Sequence, residues 1–146
     1  MAGRVEITGD ALAVLTQMGT RSHGVLLKAL RKATSKVVRD AKANVRRLLN
    51  RYPMGNLLGS IIGDVNAQGL FSEIGPRRVV YAAIHEFGGT IVPVRAPRLA
   101  WYSKRDGHWY TAMSVTIPAR PYLQPALDDN EQFIEDTFAD AVEELL

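Results

Sequence analysis

Seven apolar residues, Leu26, Leu30, Ala33, Val37, Ala41, Val45 and Leu48, recur at steps of four, three, four, four, four and three. That spacing draws one face of an α-helix. Ser22 reads as the cap, and Leu49 as about the last helical residue, because Pro53 disfavours helical geometry at Tyr52. Twenty-eight helical residues rise about 42 Å. A compact chain of 146 residues has a radius of gyration of about 15 Å, hence a diameter of about 38 Å. Such a helix spans the molecule, kinks, or projects and needs a partner for its stripe.

The rest of the helix is basic, with Lys28, Arg31, Lys32, Lys36, Arg39, Lys42, Arg46 and Arg47. Residues 1–52 hold eleven Lys/Arg against three Asp/Glu, whereas residues 128–146 hold eight Asp/Glu and no Lys/Arg. The chain is therefore electrically self-complementary, although its net charge is only +3. Either its own two ends meet, or the acidic end of one copy meets the basic helix of the next; both readings stay open. Lys28, Arg31, Lys32 and Arg39 are candidate contacts to a partner or to DNA.

After Pro53, Leu57–Ile62 and Leu70–Ile74 read as strands joined by a turn over Gly63–Gly69. Val79 to Phe87 reads as a short helix with Val80, Ile84 and Phe87 on one face, ended by Gly88-Gly89. Residues 90–117 read as a β excursion, with strands at Thr90–Val94 and Leu99–Tyr102 and an Asp106-Gly107 turn. Trp109, Thr111, Met113, Val115 and Ile117 then alternate as the core side of one further strand. From Pro125 a final helix places Leu127, Phe133, Ile134, Phe138, Ala141, Val142 and Leu145 on its apolar side. Asp10 to Met18 reads as a short helix stopped by Gly19. The elements sum to an α+β fold in a single domain over residues 1–146. A long N-terminal amphipathic helix and a C-terminal helix pack on a mostly antiparallel β-sheet with a β-hairpin excursion.

Two segments stand out as backbone engineering. Tyr81-Ala82-Ala83-Ile84-His85-Glu86-Phe87-Gly88-Gly89 sets paired glycines after an aromatic. Ile117-Pro118-Ala119-Arg120-Pro121-Tyr122-Leu123-Gln124-Pro125-Ala126-Leu127 sets three prolines in eight residues around one arginine. Tyr81, Glu86, Phe87, Gly88, Gly89, Pro118, Arg120, Pro121 and Pro125 are the candidate structural residues. Glu86 and Arg120 are either exposed, or paired so that they bind the two segments together. Breaking a buried pair from one side costs about 3–5 kcal/mol.

This split motif resembles the virion-morphogenesis proteins of tailed bacteriophages, the Mu-like tail completion and head–tail joining family. The resemblance runs from the basic helix through Pro53, Gly55 and Leu57 to the final helix. It implies a non-enzymatic structural protein of the virion, assembled in the host bacterial cytoplasm. The implied form is a homo-oligomeric ring, most plausibly sixfold, in the neck or at the head-proximal end of the tail. Implied partners are copies of itself, neighbouring neck, connector or tail tube proteins, and genome DNA passing non-specifically through the lumen. No cofactor and no membrane are implied. The long aromatic-rich excursion at 90–117 departs from the family pattern.

The chemistry-bearing residues agree with an assembly protein. Zero cysteines exclude disulfides and thiolate chemistry. His85-Glu86 begins like a zinc-protease motif, but position 89 is glycine, so the second histidine is missing. Gly55, Gly59 and Gly63 lack the lysine of a phosphate loop, and no Gly-x-Ser-x-Gly elbow occurs. No run of eighteen apolar residues suits a membrane span, and residues 1–10 lack the apolar stretch of a secretory signal. Lys104, Arg105, Trp109 and Tyr110 set bases beside aromatics at the hairpin tip, an anchor for a protein partner or a nucleic-acid platform. Two rival readings remain: a stand-alone basic DNA-binding protein, resting on the pI near 9.4, and a small hydrolase using His85 and Glu86.

Overall fold

The computed structural model describes residues 3–6, 19–50 and 54–146. The expected helix from Asp10 to Met18 and the Tyr52–Pro53 boundary lie outside these residues. The chain separates into two compact units, one formed by 1–80 with 122–146 and the other by 81–121. The fold is mixed, with long helices and antiparallel sheets.

In the first unit, helix α1 (Thr20–Leu48) follows the predicted stripe. Leu26, Leu30, Ala33, Val37, Ala41 and Val45 are buried. Ser22, Ala29 and Thr34 widen the face. The cap lies three residues earlier than expected, at Gly19, with a φ of 84°. Ser22 is not the cap. It lies buried in the first turn and donates its hydroxyl to the Gly19 carbonyl at 2.6 Å, the local back-bond open to a helical serine.

Strands β1 (Gly3–Glu6), β2 (Ile61–Asn66) and β3 (Phe71–Pro76) form an antiparallel sheet in the order β1-β3-β2. Gly3 pairs with Ile74 and Val5 with Ser72, while Gly63 and Val65 meet the same two residues from the other side. Period two therefore puts Val5, Ile61, Ile74 and Ser72 on one buried face, with exposed Arg4, Glu6, Asp64 and Glu73 on the other. α1 lies along β2 and β3. The approach is close: a Cβ on Gly63 would come within 2.2 Å of the Thr34 methyl. At the same contact Thr34 Oγ1 lies 2.7 Å from Ser72 Oγ and 2.7 Å from the Leu30 carbonyl. One hydroxyl proton cannot serve both, so Thr34 donates to Leu30 and accepts from Ser72.

The segment read as a first strand is split. Gly55–Ser60 is a short helix, α2, and the strand starts only at Ile61. Its turn covers residues 67–70 rather than Gly63–Gly69. A short apolar run has no period with which to separate helix from strand.

The C-terminal helix is also split, into α4 (Leu123–Asp128) and α5 (Glu131–Glu143); α3 (Ala82–Phe87) belongs to the second unit. Asn130 breaks it. Its buried amide donates to Asp40 Oδ2 at 2.9 Å and to the Ala126 carbonyl at 2.7 Å. Burial alone would raise the Asp40 pKa, but hydrogen bonds from Lys36 and Asn130 outweigh it and hold the carboxyl below its ordinary value. α1 packs against both α4 and α5. The basic and acidic segments thus meet within one chain, the first of the two charge readings. The contact is mostly not ionic. Among the described residues the ion pairs of α1 are Lys36–Asp40 and Arg39–Asp40, both within the helix. Lys32 Nζ instead sits 5.5 Å from the Phe133 ring centre.

Candidate assembly interface

The second unit is built on the split motif. Helix α3 (Ala82–Phe87) is a turn and a half long and buries Ala82 and Glu86, which are four residues apart on one face. The expected face of Val80, Ile84 and Phe87 is overturned. Val80 lies before the helix and is 98% exposed, and Phe87 is 68% exposed. Gly88 ends the helix with φ 69°, and its N–H returns to the Ile84 carbonyl at 2.8 Å. With ψ at −179° this positive φ lies in a region open to glycine and strained for other residues.

From there Gly89–Ile91 forms β4, which pairs with β7 (Val115–Ile117). Gly89 faces Ile117 and Ile91 faces Val115. The chain after β7 crosses the end of α3, and the Arg120 N–H donates to the His85 carbonyl at 2.7 Å. A Cβ on Gly88 would lie 2.6 Å from the Ala119 nitrogen and 2.9 Å from the Ile117 carbonyl oxygen. Backbone cannot yield as a side chain can, so this position needs glycine for space as well as for φ. The two halves of 81–121 therefore meet through main chain.

The charged motif residues are not both exposed. Glu86 is only 4% exposed and Arg120 is half-buried. His85 lies beside them, its ring edge-on to Tyr81 at 5.9 Å. Burial, then the positive charge of Arg120, push the His85 pKa below its ordinary value. Its Nδ1 is buried without a hydrogen-bond partner. Pro118 and Pro121 are exposed links on either side of Arg120. Pro125 belongs to the first turn of α4, in the first unit. There Tyr122 is fully buried and its carbonyl accepts from the Asn44 amide at 3.1 Å. Tyr122 was missed as a structural residue, although its place between Pro121 and an apolar helix start was the available signal.

The excursion is a ribbon. β5 (Leu99–Ser103) pairs with β6 (His108–Ala112). Trp101 faces Tyr110, stacked at 5.8 Å, and Tyr102 faces Trp109 at 5.7 Å. Adjacent pairs in a ribbon point to opposite faces, so both faces carry aromatics, and all four are exposed. The single strand expected through Ile117 is interrupted at Met113–Ser114, and its odd positions Trp109, Thr111 and Met113 are exposed rather than on a core side. Lys104 and Arg105 are exposed at the tip. Asp106 braces that turn, accepting from the Tyr110 hydroxyl at 2.5 Å and from the His108 N–H at 3.2 Å. The bond from Tyr110 leads the causes that lower the Asp106 pKa, and the same contact raises that of Tyr110.

The candidate partner residues fall into two groups. Lys28, Arg31, Lys32 and Arg39 are exposed on α1 in the first unit, where Lys28 and Lys32 line a shallow depression together with Asp140 of α5 and Glu144. Lys104, Arg105 and Trp109 are exposed on the ribbon in the second. Among the described residues ten of the thirteen exposed large apolar side chains lie in 81–121, so this segment carries most of the apolar surface described. Among the described residues no group of three or more His, Cys, Asp or Glu could hold a metal ion. Among them, too, no helix is long and apolar enough to cross a membrane.

The model of the phage virion morphogenesis family matches residues 16–143. No curated protein and no solved structure matches the chain.

Proposed function

The chain belongs to the phage virion morphogenesis family, a structural and assembly family, and on that premise we infer that it builds a homo-oligomeric ring. The ring sits at the head-proximal end of the tail or in the neck, as a tail completion or terminator component. It is sixfold, it forms in the host bacterial cytoplasm, and genome DNA passes through its lumen. Its other contacts are neighbouring neck, connector or tail tube proteins.

One observation carries this reading. Aromatic and aliphatic side chains gather on the exposed surface of 81–121. Large apolar patches on a protein surface mark interaction sites, and a head-to-tail contact between identical chains gives a ring when its rotation closes. The exposed cations of α1 add a weak, salt-dependent attraction for phosphates.

Native mass spectrometry at low and high salt tests the reading. A discrete closed oligomer is expected, with hexamer as the leading species. A monomer at every salt concentration that binds duplex DNA overturns the ring and favours the DNA-binding alternative.

A further inference from the structure

Resting on the ring reading, we propose that the ribbon β5–β6 of one copy docks into an acidic groove on the first unit of the next copy. The ribbon arm and the groove are the two unlike halves of one head-to-tail contact.

The arm is basic and aromatic. The segment 81–121 holds five Lys/Arg against Glu86 and Asp106. Of those two carboxylates, Glu86 is buried, and exposed Asp106 is outnumbered by exposed Arg95, Arg98, Lys104 and Arg105. The outward charge is therefore positive, with Lys104 and Arg105 at the tip. A two-stranded ribbon wet on both faces is marginal by itself. Aromatic residues of this kind are the common anchors of protein contacts.

The groove has the opposite character. It lies between β1 and the helices α4 and α5, with a volume of about 460 Å³, within the range of about 300–1,000 Å³ that admits groups of several side chains' size. Leu127 and Ile134 give it an apolar, half-buried lining. Asp128, Glu131 and Glu135 line it as exposed carboxylates. Among the described residues its one cation, Arg4, is paired with Glu6 at 3.1 Å and lies over the Phe71 ring at 4.2 Å. Among the described residues β1 has a strand partner, β3, on one side only. An open strand edge is a surface that proteins cover.

Charge decides between the possible pairings of copies. Arm against arm sets cation on cation, and groove against groove sets carboxylate on carboxylate. Arm against groove satisfies both. A contact between two different surfaces of identical chains is heterologous, and it closes into a ring when its rotation divides the circle.

Charge reversal in two variants tests this. One carries Lys104→Glu and Arg105→Glu on the arm; the other carries Glu131→Lys and Glu135→Lys in the groove. Each variant alone should weaken the contact by more than about 100-fold, since like charges in an interface cost several kcal/mol. Mixed together they should recover the closed oligomer, because every arm then meets a groove of opposite sign in an alternating ring. This recovery also excludes misfolding as the cause of the losses. If both variants keep the wild-type oligomer, the docking is wrong while the ring stands. If the wild type is itself monomeric, the ring reading fails and the docking with it. If arm reversal abolishes duplex retention and leaves the oligomer intact, the arm is a DNA contact and the proposal is overturned. A mixture of Trp109→Cys and Ile134→Cys chains, in a protein with no native cysteine, supplies the second readout. A disulfide dimer formed only in the mixture supports the contact, and one formed equally by Trp109→Cys alone rules out its head-to-tail geometry.

Discussion

The two units spend their apolar residues in opposite ways. In the first, α1 closes on a sheet and two helices, and Leu30, Val37, Leu57, Ile61, Ile74 and Tyr122 are fully buried. In the second, Ala82 and Glu86 are the buried residues among those described, while Trp101, Tyr102, Trp109 and Tyr110 face outward. Each fully buried aliphatic side chain contributes about 1.5–3 kcal/mol, so the first unit holds a core adequate to fold. The second is held mainly by main-chain bonds, one close glycine contact and a buried carboxylate. A unit of that kind leaves its large side chains available to another molecule. This contrast is the physical ground for the proposal that one part of the chain supplies stability and the other the contact to a second copy.

The contrast breaks most directly at Leu30, which is fully buried on the sheet-facing side of α1. Leu30→Ala should destabilise the chain by about 2–5 kcal/mol, read as a shift in the urea midpoint. A loss below about 0.5 kcal/mol, the range of ordinary surface changes, would mean that α1 is not the centre of the core.

Glu86 tests the other side. We expect it to pair with Arg120, whose charge already acts on neighbouring His85. Because Arg120 is half-buried, Glu86→Gln should cost less than a fully buried pair would, about 1.5–3 kcal/mol. The double variant with Arg120→Gln should cost little more than either alone. Additive losses in that cycle would show that the two do not interact.

Gly88→Ala comes next, at about 1–3 kcal/mol for overpacking. The added methyl meets the Ala119 and Ile117 main chain, so the damage should stay local. Amide exchange should quicken across 81–121 and the oligomer should weaken, while protection in α1 is unchanged. Uniform loss of protection would erase the distinction between the units.

Legibility in the sequence followed the same divide. The stripe of α1 was readable because one period persists from Leu26 to Leu48, and the structure buries most of it. The helix at Gly55–Ser60 was not, because Leu57-Leu58 alone fits helix or strand. The break at Asn130 was hidden because its reason is a hydrogen bond to Asp40, ninety residues away. Trp109 to Ile117 alternates like a half-buried strand, but alternation reports which residues share a face and not whether this chain covers that face. The two halves of 81–121 could be seen to matter from their glycines and prolines. How they join could not, because the joining bond links the Arg120 N–H to the His85 carbonyl, and main-chain partners leave no side-chain signature.

The smallest expected effect is a pH dependence confined to the second unit. Burial first, and the charge of Arg120 second, hold the His85 imidazole below its ordinary pKa of 6.5. In the unfolded segment the ring therefore takes up its proton at higher pH than in the folded one. Wherever the unfolded state binds more protons, stability rises with pH. The contribution of His85 is thus fully present above pH 6.5 and is lost as pH falls through the lower folded value. Asp106, also lowered, starts from an ordinary value of 3.8, so its contribution is constant above about pH 5. Amide exchange within 81–121 should quicken as pH falls below about 6.5, after correction for the intrinsic rate. His85→Phe keeps a ring against Tyr81 and removes the titration, so it should flatten that change. An equal slope in the variant would assign the dependence to another group, and a slope shared with α1 would show that the second unit does not open on its own.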